Sequence, residues 1–268
     1  FKIITTNSNI YNLGDKSPKT IQGKISIKNL RFSYKKGEGV INGINIEINP
    51  NETIALVGST GAGKSTLINL LSRFYEYDSG EIYLDDISIR DLSLKSLRTH
   101  VGVVLQDVFL FADTIFNNIT LKNPDISIEM VKGVAKEIGV NKFIESLPGG
   151  YNYNIKERGA MLSSGQRQLI AFLRVYISNP SILILDEATS SIDTNSEELI
   201  KIATSKITKN KTSILIAHRL STIKNADRIV VMDKGKIVEI GTHEDLLKIK
   251  GGFYAKLSRI EFSDTELV

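Results

Sequence analysis

Apolar residues recur at near-alternate positions in two early stretches, Ile25, Ile27, Leu30, Phe32 and Ile44, Ile46, Ile48. A period of two predicts half-buried strands. The phase change near Asn29 predicts a bulge in the first, and Asn49-Pro50-Asn51 ends the second as a turn. The two are expected to pair as an antiparallel flap. Other stretches are apolar almost without interruption: Thr53-Ile54-Ala55-Leu56-Val57, Val101-Gly102-Val103-Val104-Leu105, Ile182-Leu183-Ile184-Leu185 and Ser213-Ile214-Leu215-Ile216-Ala217. Such runs are typical of strands covered on both faces, as in a parallel sheet. Glu81-Ile82-Tyr83-Leu84 reads as a short strand before the Asp85-Asp86 turn. Arg228 to Met232 and Lys236 to Ile240 form a hairpin across Asp233-Lys234-Gly235. Helical spacing follows in Leu67-Ile68-Asn69-Leu70-Leu71, around 127 to 138 and 141 to 146, and near 243 to 249.

The pattern predicts an α/β fold: a mostly parallel sheet core, an antiparallel β subdomain, and a helical subdomain inserted at about 108–175. Residues 1–22, rich in Asn, Thr, Ser and Lys, show no sustained period and read as a linker or arm, and residues 259–268 as a C-terminal tail. The main domain is expected over 23–258.

One stretch changes this picture from a fold to a chemistry. Gly58-Ser59-Thr60-Gly61-Ala62-Gly63-Lys64-Ser65-Thr66 lies between a strand pattern and a helix pattern. Glycines without a Cβ let successive backbone N–H groups converge on an oxyanion, and the following helix points its positive end at the same place. Lys64 would reach the β and γ phosphates of a nucleotide, and the Ser65 hydroxyl would ligate the accompanying Mg²⁺. Thr66 would help hold the α phosphate. The core is therefore expected to be P-loop NTPase-like.

Further candidates stand at the ends of the predicted parallel strands, where open α/β sheets bind ligands. Gln106 follows Leu105 and would contact Mg²⁺ or the attacking water. Asp186 ends the run Ile182 to Leu185 and would hold the metal. Glu187 beside it would orient or deprotonate water attacking the γ phosphate, and His218 follows Ala217 at the same edge. Tyr34, after the first strand, is either a rim aromatic or a platform for adenine, with Val40 beside the same base. Ser163 or Ser164 is a natural cap for the helix from Gln166 onward, which creates a second anion-binding helix end.

Composition narrows the class. The chain has 268 residues, 41% hydrophobic and 24% charged, as in ordinary globular proteins. Its net charge of +4 comes from scattered lysines without a dense basic cluster, so nucleic-acid binding is not suggested. The absence of cysteine excludes a disulfide framework and a thiolate metal site, and is compatible with a reducing compartment. No run approaches the eighteen uncharged apolar residues of a membrane helix. The first residue is Phe1 and not methionine, from which the expectation follows that the chain is cut from a longer polypeptide.

Taken together, residues from about 24 to 257 resemble the nucleotide-binding domain of an ATP-binding cassette (ABC) transporter of the exporter type. The loop at 58–66 is similar to the Walker A motif, Tyr34 to the aromatic loop, Gln106 to the Q-loop, and Leu162-Ser163-Ser164-Gly165-Gln166 to the signature. Residues 182–187 resemble Walker B, Ser190-Ser191-Ile192-Asp193 the D-loop, and His218 the switch histidine. Glu157-Arg158-Gly159 and Phe109-Leu110-Phe111 resemble exporter stretches that face the coupling helices of a membrane domain. The signature departs from the family at Ser164, where glycine is usual, and Leu169 stands where arginine is common.

The resemblance implies an ATPase that forms a head-to-tail dimer around two ATP molecules with Mg²⁺. Each ATP would lie between one subunit's loop 58–66 and the other's signature, touched in trans by Ser163 and Gly165. It also implies a place for Gln166 and Asp193 at that interface, a transmembrane partner domain, and a location on the cytoplasmic face of the membrane. An alternative is a soluble ABC ATPase acting on nucleic acid or ribosomes. The 157–159 stretch and the non-methionine start argue against it, as does the absence of a long coiled-coil insertion. A non-hydrolysing regulatory module is disfavoured by Glu187.

Overall fold

The computed structural model describes residues 14–156, 159, 161–186, 194–217 and 220–261. Two sheets are stacked on a shared core. Strands β1 (Ile25–Ser33) and β2 (Gly39–Ile48) pair antiparallel, and β1 also pairs with β4 (Ser79–Leu84), which is followed by β5 (Ile87–Ser88), in the order β2-β1-β4-β5. The flap expected from the first two alternations is thus half of a four-stranded sheet. Asn29, at φ 45°, sits in the register shift between Ile27 and Leu30, as the phase change predicts.

The second sheet is six-stranded, in the order β12-β11-β3-β10-β9-β6. It contains β3 (Thr53–Val57), β6 (Val101–Val104), β9 (Ile182–Asp186), β10 (Thr212–Ile216), β11 (Arg228–Asp233) and β12 (Lys236–Gly241). All neighbours are parallel except the β11–β12 hairpin. The remaining short strands β7 (Asp113–Thr114) and β8 (Asn154–Ile155) pair with each other. β6 lies at the sheet edge with Val103 half-buried and Leu105 exposed, so it is less enclosed than its unbroken apolar run suggests.

Successive side chains of a strand leave on opposite faces, and the core divides accordingly. Ile54, Leu56, Ile184, Ile214 and Ile216 join the inward isoleucines of β1 and β2 and the leucines of helix α1 (Lys64–Leu71) in one cluster. α1 therefore lies in the apolar layer shared by both sheets. Leu183, Leu185 and Leu215, from the other face, join a second cluster.

Helix α2 (Leu94–His100) precedes β6, and α3 (Ile115–Thr120), α4 (Ile128–Glu137) and α5 (Asn141–Ser146) follow it. These last three contribute to the second cluster together with α6 (Ser164–Ser178) and α7 (Thr194–Ile207). Leu169 is 1% exposed there, an aliphatic position where a guanidinium would need a buried partner.

The chain closes with α8 (Leu220–Lys224), α9 (His243–Lys248) and α10 (Phe253–Glu261). α10 occupies residues that read as the domain end and tail in the sequence. Tyr254 is fully buried, Leu257 packs against the same cluster, and Glu239 accepts the N–H groups of Phe253 and Tyr254, so apolar anchors and an acidic cap hold the helix. Residues 14–22 of the arm are also more structured than their composition suggests. Lys16 bridges Leu92, Ser17 lies 2.8 Å from Ser93, and Ile21 is buried. No helix among the described residues is long and apolar enough to cross a membrane.

Candidate functional site

The parallel register assembles the site. Leu56, Ile216 and Asp186 occupy one row across β3, β10 and β9, and Val104 pairs with Leu185 in the next strand. The carboxyl ends of β3, β10, β9 and β6 therefore lie at one end of the sheet. Asp186 stands two strand spacings from β3, about 10 Å, and is half-buried. Gln106 is exposed just beyond the same end. Glu187, Asp193 and His218, together with Glu157 and Arg158, lie outside the described residues.

The loop 58–66 has the backbone that its glycines predict. Gly58 has φ 152°, and a Cβ there would fall 2.2 Å from the Met232 carbonyl oxygen of β11. Gly63, at φ 104°, is the N-cap of α1, and a Cβ on it would press on Ile41 at 3.1 Å and on the Val40 carbonyl at 3.3 Å. Val40 thus meets the loop through its backbone, while its side chain is half-buried. Between these glycines the Ala62 N–H bonds the Ser59 carbonyl, and Ala62 in turn accepts from Gly235, so the β11–β12 turn braces the loop. That support from Gly235 lies far away in sequence, and only the Lys234-Gly235 turn signal hinted at it.

Ser59, Thr60 and Gly61 form the exposed crest. Lys64 is buried to 9% exposure and its ammonium donates to the Gly58 and Ser59 carbonyls, the latter at 3.1 Å, which holds the cation inside the loop. Ser65 and Thr66 follow in the first turn of α1, where backbone N–H groups have no carbonyl partner within the helix. A glycine loop that runs into a helix start, with a lysine held inside it, makes a good fit for a polyphosphate. Ser65, Gln106 and Asp186 are oxygen donors of the kind that Mg²⁺ takes.

Tyr34 stands just past β1, 48% exposed, with its hydroxyl 3.2 Å from Thr66 Oγ1. Its ring meets Phe32 at 4.8 Å and Tyr75 at 5.1 Å, both nearly perpendicular. Tyr75 was not singled out from the sequence. Its partner ring is 41 positions upstream, so no local pattern could have revealed the pair.

The signature segment opens α6. Ser163 is the N-cap and forms a reciprocal capping box with Gln166: Ser163 Oγ accepts the Gln166 N–H at 3.2 Å, and Gln166 Oε1 accepts the Ser163 N–H at 3.0 Å. Of the two serines considered, Ser163 is the cap. Gly165 is buried in the first turn. The same helix grips the segment after Gln106. Arg174 donates to the carbonyls of Asn118 at 2.9 Å and Phe109 at 3.4 Å, and its burial lowers its pKa. Phe109 and Phe111 remain more than half exposed, with rings 5.1 Å apart, and Met161 is 61% exposed.

A model of the ABC transporter family matches residues 41–190. The chain is 46% identical over 243 residues to the uncharacterized ABC transporter ATP-binding protein YknV of Bacillus subtilis (strain 168), covering 91% of this chain and 40% of that protein. It is 46% identical over 248 residues to the ATP-dependent lipid A-core flippase of Hahella chejuensis (strain KCTC 2396), covering 92% and 42%. A solved structure of a bacterial Atm1-family ABC exporter with ATP bound superposes with a TM-score of 0.88 at 36% identity, over 97% of this chain and 45% of that one. The chain thus spans about two-fifths of the length of these relatives.

Proposed function

The chain belongs to the ABC transporter family, and on that premise we propose that it is the ATP-binding and ATP-hydrolysing domain of an exporter. The observation that carries this reading is the single strand row that brings the carboxyl ends of β3, β9 and β10 to one end of the sheet, beside loop 58–66. A polyphosphate with a bound divalent cation uses both the loop and the acidic strand end, the anion on the loop and the cation toward Asp186. The names of the relatives, among them a lipid A-core flippase and a leukotoxin export protein, favour export over the alternative of a soluble ATPase acting on nucleic acid or ribosomes.

In this reading, adenine rests on Tyr34 beside Val40, and the phosphates follow the backbone from Ser59 to Thr66. Lys64 neutralises charge on the β and γ phosphates from its position inside the loop. Magnesium supplies charge neutralisation on the phosphate oxygens when bound, with Ser65, Gln106 and Asp186 as its donors. Glu187 orients or deprotonates the attacking water, and His218 stands by the γ phosphate.

A second copy completes the site in trans. The Ser163 hydroxyl accepts from Gln166 and keeps its hydrogen to donate, and the Gly165 N–H belongs to the first helical turn, which completes an anion site. Gln166 acts through the cap that it shares with Ser163, and Asp193 lies at the same interface. Cleavage of the terminal phosphate removes the ligand of this second helix end, and the dimer opens. The exposed Phe109, Phe111 and Met161 surface, with Glu157 and Arg158 nearby in sequence, suits the coupling helices of a transmembrane domain at the cytoplasmic membrane face. No nucleic-acid partner is proposed.

The test is magnesium-dependent ATP binding and turnover by the purified chain, with Glu187→Gln alongside. The variant should bind ATP, lose about 10²–10⁴-fold in turnover, and elute as an ATP-dependent dimer. Absence of any magnesium-dependent interaction with ATP would overturn the proposal.

A further inference from the structure

Tyr34 and Thr66 are 32 positions apart, one after a strand of the antiparallel sheet and the other in the first turn of α1, yet their hydroxyl oxygens are 3.2 Å apart. We propose that this contact is a relay: Tyr34 donates to Thr66 Oγ1 and so aims the Thr66 hydroxyl hydrogen at the phosphate chain, joining the base platform to the phosphate cradle. The inference deepens the nucleotide reading and rests on it.

A hydroxyl has one hydrogen and two acceptor lone pairs. Left to itself, a helical threonine divides between two rotamers, because its Oγ1 can turn back to a carbonyl of the preceding turn. For Thr66 that preceding turn is the end of the phosphate loop, at Ala62 and Gly63. A donor from Tyr34 occupies one Thr66 lone pair, fixes the position of Oγ1 and leaves its hydrogen to be given to the phosphate chain. Thr66 is only 8% exposed, so few other groups compete for it. The sequence O–H to O–H to phosphate oxygen also strengthens each member by polarisation.

Tyr34 is held well enough to act this way. Phe32, 5% exposed, is the anchor of a three-ring cluster, and Tyr34 and Tyr75 meet almost perpendicularly at its outer side. About half of Tyr34 remains open to a base. Stacking alone requires only an aromatic face, which phenylalanine supplies equally. The hydroxyl acquires its purpose from the residue it touches.

Competition calorimetry with two probes, MgATP and magnesium tripolyphosphate, separates the two duties. Tripolyphosphate has the phosphate chain and no base. Tyr34→Phe, which keeps the ring, should weaken both probes by about 5-fold. Thr66→Val should do the same, the double variant should be no weaker than the worse single, and Thr66→Ser should restore sensitivity to Tyr34→Phe. If Tyr34→Phe weakens MgATP alone, or neither probe, or if the two losses multiply, the relay is overturned while nucleotide binding stands. If the unaltered chain binds neither probe, the nucleotide reading fails and the relay with it.

Discussion

The Asp85 carboxylate accepts the backbone N–H of Lys24 at 2.8 Å. The same carboxylate takes Gly23 at 3.0 Å and Gln22 at 2.6 Å. One side chain at the end of β4 thus collects three successive N–H groups just where the arm enters β1. Hydrogen bonds to a charged acceptor are stronger than neutral ones.

Asp85→Ala should therefore release the arm from its dock. A stability loss of about 2 kcal/mol in urea unfolding is expected, with faster proteolysis between residues 14 and 22. Unchanged proteolysis would mean that the other contacts of the arm, among them the Lys16–Leu92 bridge, the Ser17–Ser93 contact and Ile21, hold it without Asp85.

The phosphate loop offers a contrast between two glycines. A Cβ at Gly58 would overlap the Met232 carbonyl, whereas a Cβ at Gly61, φ 82°, meets nothing within 4 Å. Gly61→Ala should cost about 1–2 kcal/mol from backbone strain alone. Gly58→Ala should cost about 4 kcal/mol or more and abolish nucleotide binding. Urea denaturation of the two variants measures the difference.

A part-buried ion pair ties the segment after α1 to the loop that follows β5. Arg73, with 2% side-chain exposure, donates to Glu76 at 2.8 Å and to the Ile89 and Leu92 carbonyls. Glu76→Ala removes a carboxylate that Arg73 and Arg90 share and should destabilise by about 2 kcal/mol. The exposed Lys16–Asp91 pair, both sides more than half exposed, should yield less than about 1 kcal/mol on loss of its lysine charge.

His243 Nδ1 lies 2.6 Å from the buried Tyr254 hydroxyl. Burial, and then the positive charge of Lys224, lower the His243 pKa below 6.5, against a smaller opposing effect of Glu244. The folded state therefore favours neutral imidazole, and the unfolded chain takes up the proton more readily. The stability this provides is present above the unfolded value and is lost as pH falls from it through the lower folded value. The melting temperature should fall between about pH 7 and pH 5, and His243→Gln should flatten that part of the profile. An equal slope in the variant would assign the change to other groups.

Much of the site was legible in the sequence because its determinants are local. The glycines of 58–63, the helix after them, the Ser163 cap and the acidic end of β9 are each set by neighbours within a few residues. The alternation in β1 and β2 likewise revealed two paired strands and the irregularity at Asn29.

The sequence by itself determined the glycine loop, the helix after it and the strands and helices on which the proposed phosphate-contacting residues stand, since turn geometry and hydrophobic period act over one loop or one strand. Only the tertiary structure decided who stands beside whom. The sheet order β12-β11-β3-β10-β9-β6 puts strands far apart in the chain side by side, and with it come the brace of Gly235 on Ala62, the meeting of Tyr75 with Tyr34, and the hydroxyl contact from Tyr34 to Thr66. Helix α10, too, is anchored by packing, through Tyr254 and the Glu239 cap. Such pairings depend on how complementary surfaces pack across the whole core, and no short window of residues encodes them.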